Sequence, residues 1–183
     1  MNEQTRIIIV GFMGAGKSAV ARELARLLHT LMIDLDDSIT AREGRTPQRL
    51  IDEDGEPAFR AAETRALADA LDGSTARIIA LGGGALSSVA TRELIARRDC
   101  FIIWLDAPFE LCWQRIACDD SRPFARDREI ASRLYEERRE FYALADHRVE
   151  VVKGMDVKTI AAGIEWIVRS RIKRAEDGMS EDG

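Results

Sequence analysis

The chain has 183 residues, 46% of them apolar and 32% charged, with a formal net charge of −5, the profile of one soluble globular domain with room for a sizeable core. Both signs of charge are interspersed and no basic stripe is present, which argues against a nucleic-acid partner. No apolar run approaches the ~20 residues that cross a bilayer, and the N-terminus has no signal-peptide layout, so no membrane is expected, the expected location is cytoplasmic and the expected state monomeric.

The first predicted element is a strand at about Arg6–Gly11, built on the run Arg6-Ile7-Ile8-Ile9-Val10. Gly11 to Ser18 then read G-F-M-G-A-G-K-S, the phosphate-binding pattern G-x-x-x-x-G-K-[ST] placed between a strand and a helix. Gly11, Gly14 and Gly16 let the backbone curl so that successive N–H groups point into a concavity sized for phosphate. A helix at about Gly16–His29 adds its positive end. Lys17 supplies a point charge for the β- and γ-phosphates, and Ser18 a hydroxyl for Mg²⁺. Of 27 basic side chains only Lys17, Lys153, Lys158 and Lys173 are lysines. A chain that otherwise uses Arg has kept a compact ammonium where a planar fork would not fit.

The second strand, at about Leu31–Asp34, runs into Asp34-Leu35-Asp36-Asp37. Two carboxylates at i and i+2 beside a phosphate site suit phosphoryl transfer: one orients Mg²⁺ through water, the other accepts the proton of an attacking hydroxyl. Capping of the next helix by Asp36 or Asp37 is the alternative reading. Helical patterns follow at about Asp36–Glu43, Pro47–Glu53 and Pro57–Leu71. Asp52 to Gly55 fit D-x-x-G, but inside helical pattern and without N-K-x-D, which speaks against a GTPase switch. The third strand, at about Arg77–Leu81, ends in Gly82-Gly83-Gly84. Ligands in open α/β sheets bind beyond the carboxyl ends of strands, so this tract borders the same crevice. Next come a helix at about Ser87–Arg97, a strand at about Cys100–Leu105 and a helix at about Pro108–Ala117. The charged stretch Cys118–Asp127 is expected to form a mobile lid. A helix at about Arg128–Ala145, a strand at about Arg148–Val152 and a helix at about Val157–Lys173 complete a single domain over 1–173. The tail 174–183 is expected to be disordered. Cys100, Cys112 and Cys118 lack metal-type spacing and are expected as reduced thiols. The alternation predicts an α/β fold with a parallel sheet flanked by helices.

Taken in order, the phosphate loop, Asp34-x-Asp36, Gly55-Glu56-x-x-Phe59-Arg60-x-x-Glu63, Gly82-Gly83-Gly84, Arg122-Pro123 and Arg138-x-x-x-Tyr142 resemble the shikimate kinase family over roughly Arg6 to Ala145. The resemblance implies a P-loop kinase fold of three layers, with a five-stranded parallel sheet in the order 2-3-1-4-5. It implies transfer of the ATP γ-phosphate to the 3-hydroxyl of shikimate in the pathway to aromatic amino acids. By position, Asp36 would hold the reacting hydroxyl and act as base, with Lys17 and Arg122 as its catalytic partners and Arg122 carried on the lid. Gly14, Ala15, Gly16, Lys17, Ser18 and Ala19, with Arg122, would meet ATP, and Arg115 would lie against adenine. Arg60 and Arg138 would grip the carboxylate, Gly82, Gly83 and Gly84 would approach substrate with bare backbone, and Glu63 would support Arg60. Ser18 and, through water, Asp34 would serve Mg²⁺.

Four positions depart from the family pattern, and the adenine-side loop near Lys153–Asp156 lacks the family's frequent proline. Glu140 stands where R-x-P-x-Y has proline, which lets the helix run on. Phe124 alters the lid, Thr40 replaces a usual Glu after D-x-D, and Ala80 replaces a hydroxyl near the metal shell. Arg139 adjoins Arg138 and could take its place. A kinase of the same fold acting on another hydroxy acid such as gluconate, and a non-catalytic ATP-binding relative, are the competing functions.

Overall fold

Ile7, Ile8 and Ile9 are each 0% exposed within the strand β1 (Arg6–Val10). Side chains alternate across a strand, so a run buried at every position needs cover on both faces. β1 is accordingly the middle strand of five, in the order β2-β3-β1-β4-β5, all pairings parallel. This is the order the family resemblance implied.

The computed structural model describes residues 1–2, 4–117 and 127–179. After β1 come α1 (Lys17–Leu27), β2 (Met32–Asp34), α2 (Leu35–Glu43), α3 (Pro47–Asp54) and α4 (Glu56–Asp72). Then follow β3 (Ile78–Ala80), a 3₁₀ turn (Ala85–Ser87), α5 (Val89–Ala96), β4 (Cys100–Asp106), α6 (Phe109–Ile116), α7 (Arg128–Tyr142), β5 (His147–Glu150) and α8 (Val157–Met179). The registers Asp34↔Ala80, Ile9↔Ala80 and Ile9↔Ile103 put the ends of β1, β2 and β3 near one level, with β4 running on to Asp106. The loops that leave β1, β2, β3 and β4 therefore open on one edge of the sheet, which is where the site must lie.

Local chemistry sets the helix ends. Thr46 caps α3 by accepting from Arg49 N–H, with Pro47 in the first turn, where its missing donor costs nothing. Gly55 closes α3 and opens α4 at φ +86°, so the two helices meet at one residue. In α7 the helix runs unbroken through Glu140, as the missing proline predicts. The D-x-x-G match falls on α3 and its end, which removes the switch-loop reading.

Two expectations need comment. α8 continues to Met179, so the part of the tail from 174 to 179 is helical rather than disordered. The physical reason is that Arg174 and Ala175 are good helix formers extending a helix already anchored on α1 through Ile160, Ala161, Ile164 and Val168. The expected lid, with Cys118, Arg122 and Phe124, lies outside the described residues apart from Asp127, which caps α7. Among the described residues no helix is long and apolar enough to cross a membrane.

Candidate active site

The phosphate loop has the shape its glycines require. Gly14 has φ +80° and Gly16, the residue before α1, has φ +99°, conformations that L side chains rarely adopt. A methyl on Gly14 would lie 2.6 Å from the Cys112 carbonyl oxygen on α6, so α6 backs the loop directly. Lys17 Nζ donates to the Phe12 carbonyl at 3.1 Å, and Arg115 Nη1 donates to the Gly14 carbonyl at 2.8 Å. Ser18 and Ala19 fall in the first turn of α1. The nucleotide-side candidates from Gly14 to Ala19, with Arg115, are thus one cluster at a helix N-terminus. Burial pushes the Cys112 thiol up to about 11, so behind the loop it is an inert packing group.

Beyond β2 the structure separates the two aspartates. Asp34, not Asp36 or Asp37, caps α2: its Oδ1 accepts the Asp36 N–H at 3.1 Å. The cap is spent on Asp34, and the Asp36 carboxylate lies at the glycine tract, where a methyl on Gly82 would be 3.0 Å from Asp36 Oδ1 and 2.8 Å from Glu63 Oε1. Among the described residues no three His, Cys, Asp or Glu side chains group as a metal cage. Ser18 offers a hydroxyl and Asp34 a second carboxylate oxygen, oxygen donors of the kind Mg²⁺ takes beside its waters and phosphate oxygens.

The substrate-side arginines converge from two helices on Gly84. A methyl there would lie 2.5 Å from Arg60 Nη2 and 3.1 Å from Arg138 Nη2. Arg60 Nη1 donates to Glu63 Oε2 at 2.7 Å and its Nη2 to Glu56 Oε1 at 3.1 Å. Burial pulls the Arg60 guanidinium down, but Glu63 and Glu56 outweigh it and the net direction is up. Glu63 is 1% exposed and its Oε1 has no hydrogen-bond partner among the described residues. Burial lifts its carboxyl above the usual range despite Arg60. Burial pulls Arg138 below its ordinary value, yet guanidinium stays charged in proteins. Among the described residues Arg138 makes no ion pair, though the carboxylates of Glu63 and Glu56 act on it at longer range; its Cζ lies 5.8 Å from the Phe12 ring centroid. Arg139 points elsewhere, to Asp106 at 2.9 Å and the Tyr135 hydroxyl at 2.9 Å, and of the two neighbours Arg138 is the one that lines the cleft.

These groups line one cleft of about 460 Å³, with Lys17 at one side and Asp36, Arg60, Glu63, Gly82, Gly83, Gly84 and Arg138 around the other. Sequence reasoning missed the facing wall from α3: Pro47, Gln48 and Ile51. Their i, i+1, i+4 spacing signals a shared helix face, but only the fold shows that the face looks into the cleft. It also missed the Tyr142 hydroxyl, which donates to the Gly83 carbonyl; the i+4 spacing from Arg138 was the available signal.

The shikimate kinase family model matches residues 13–167. The chain belongs to the shikimate kinase family. It is 39% identical over 147 residues to the shikimate kinase of Caulobacter vibrioides (strain NA1000 / CB15N), spanning 79% of this chain and 72% of that protein. It is 38% identical over 151 residues to the shikimate kinase of Cereibacter sphaeroides, spanning 81% and 75%. Among solved structures, shikimate kinase from Acinetobacter baumannii in complex with shikimate aligns with a TM-score of 0.83 at 30% identity, covering 91% of this chain and 94% of that one. As a shikimate kinase family member, the chain has the strand order 2-3-1-4-5, and its motifs among the described residues border one cleft.

Proposed function

We propose that the chain transfers the γ-phosphoryl group of ATP to the 3-hydroxyl of shikimate. The observation that carries this reading is the half-buried guanidinium of Arg138, which burial pulls below its ordinary value and which stands beside Arg60 over Gly84. Two cations held side by side favour an anion between them, and two forks suit a small carboxylate. The cleft joins that anion site to Asp36 and Lys17, as a hydroxy acid meeting a nucleotide requires.

In this reading Arg60 and Arg138 hold the carboxylate and turn the ring so that its 3-hydroxyl faces Asp36. Asp36 accepts the hydroxyl proton as the new O–P bond forms and the bond to the β-phosphate oxygen breaks, releasing ADP. Lys17 and the loop N–H groups balance the phosphate charge. Mg²⁺, held by Ser18 and through water by Asp34, would supply further charge neutralisation. Glu63 keeps Arg60 in place, and the bare backbone of Gly82 to Gly84 lets the ring sit close. The departures at Thr40 and Ala80 leave these groups intact.

The test is ADP release from protein and Mg·ATP with shikimate, gluconate or no acceptor. Shikimate-dependent release with the higher kcat/KM is expected. A preference for gluconate, or ATP binding without turnover on either acid, would overturn the proposal.

A further inference from the structure

Tyr142 lies four residues after Arg138 on α7, is 2% exposed, and packs its ring on Trp104 with centroids 5.9 Å apart. Its hydroxyl donates to the Gly83 carbonyl and lies next to the Arg138 guanidinium, which acts on the same oxygen. Burial pushes the phenol well up, so it stays a donor. A phenol has one proton; with that proton on Gly83, its lone pairs are left to receive Arg138. Gly83 is itself confined, since a methyl there would lie 3.3 Å from Met13 N on the phosphate loop and 3.4 Å from Arg138 Nη1. The ring serves the core, whereas both partners of the hydroxyl belong to the cleft. The Phe12 ring below Arg138 offers no acceptor to fix the rotation of the guanidinium.

We infer that Tyr142 is a positioning residue: its hydroxyl links Arg138 to the middle of the glycine tract and sets the guanidinium in register for the substrate carboxylate. The inference rests on the proposed function and deepens it.

Tyr142→Phe keeps the ring and removes only the hydroxyl. The expected result is a rise of about tenfold in the shikimate KM, the size of one buried hydrogen bond, with the ATP KM within about twofold and the thermal midpoint within a few degrees. Shikimate methyl ester, which lacks the anionic carboxylate, should show the same KM with both proteins. The Arg138→Leu/Tyr142→Phe double variant should be no worse than Arg138→Leu alone. An unchanged shikimate KM overturns the inference. So does an equal penalty on the ester, or a loss of folding or ATP affinity in step with the shikimate effect, because each marks a structural role. Wild-type protein is assayed first: absence of shikimate-dependent turnover there would sink the proposed function itself and this inference with it, whereas wild-type turnover with an unaffected variant sinks the inference alone.

Discussion

Arg139 donates to Asp106 at 2.9 Å, and that pairing leaves Arg138, one residue earlier on α7, to the cleft. Asp106 is nearly buried and also receives Arg148 at 2.7 Å, so it is a fixed point at the end of β4. The two arginines should therefore fail differently. Arg138→Gln removes a charge-assisted contact and should raise the shikimate KM about a hundredfold. Arg139→Gln should leave that KM within about threefold and lower the thermal midpoint by a few degrees, as the loss of a half-exposed ion pair would. Steady-state kinetics and a melting curve on both variants check this; a larger KM effect at Arg139 would reverse the assignment.

Gly84 is replaceable on backbone grounds, with φ −107° and ψ 0°, but not on steric ones. A methyl 2.5 Å from Arg60 Nη2 must displace the guanidinium. Gly84→Ala should fold, because the obstructed atoms end a flexible side chain, and should raise the shikimate KM by about tenfold or more with the ATP KM unchanged. Equal effects on both substrates would show that the tract supports the phosphate loop instead.

Lys17→Arg tests the use of a compact cation. The charge is kept, but the fork does not fit a loop whose lysine reaches back to the Phe12 carbonyl. Turnover should fall by about a hundredfold or more while circular dichroism and the melting point stay close to wild type. Retained turnover would mean that charge alone suffices.

Glu63 gives a pH signature. Burial raises its carboxyl above 4.5, so the folded chain holds that proton more tightly than the unfolded one. The stability this contributes is full below about pH 4.5 and drains as pH rises through the raised folded value. Glu63→Gln does not titrate. The wild-type melting point relative to the variant should therefore decline as pH rises above about 4.5, and a difference that grows would show the wrong sign of shift.

Much of the fold was legible because its signals are local. The apolar runs of β1 and β4 and the glycine–lysine loop each announce an element within a dozen residues. The ordered motifs carried the family resemblance, and with it the strand order that periodicity alone does not fix. Of the site, Asp36 was legible as one of a pair, but its separation from Asp34 depended on which carboxylate caps α2. The choice between Arg138 and Arg139 was undecidable along the chain, because it turns on Asp106, 33 residues away. The α3 wall was hidden for the same reason: Gln48 and Arg60 come to line one cleft only once Gly55 folds α4 back on α3.

Gly82, Gly83 and Gly84 leave one side of the cleft little to vary: an added carbon at Gly82 or Gly84 runs into a carboxylate or an arginine, and at Gly83 it presses on the phosphate loop. Retuning the shape of the accepted acid must then come from across the gap, where Pro47, Gln48 and Ile51 stand on a short surface helix. In lineage terms the glycine side is the anvil and α3 the adjustable jaw. Libraries aimed at new acceptors belong on those three positions.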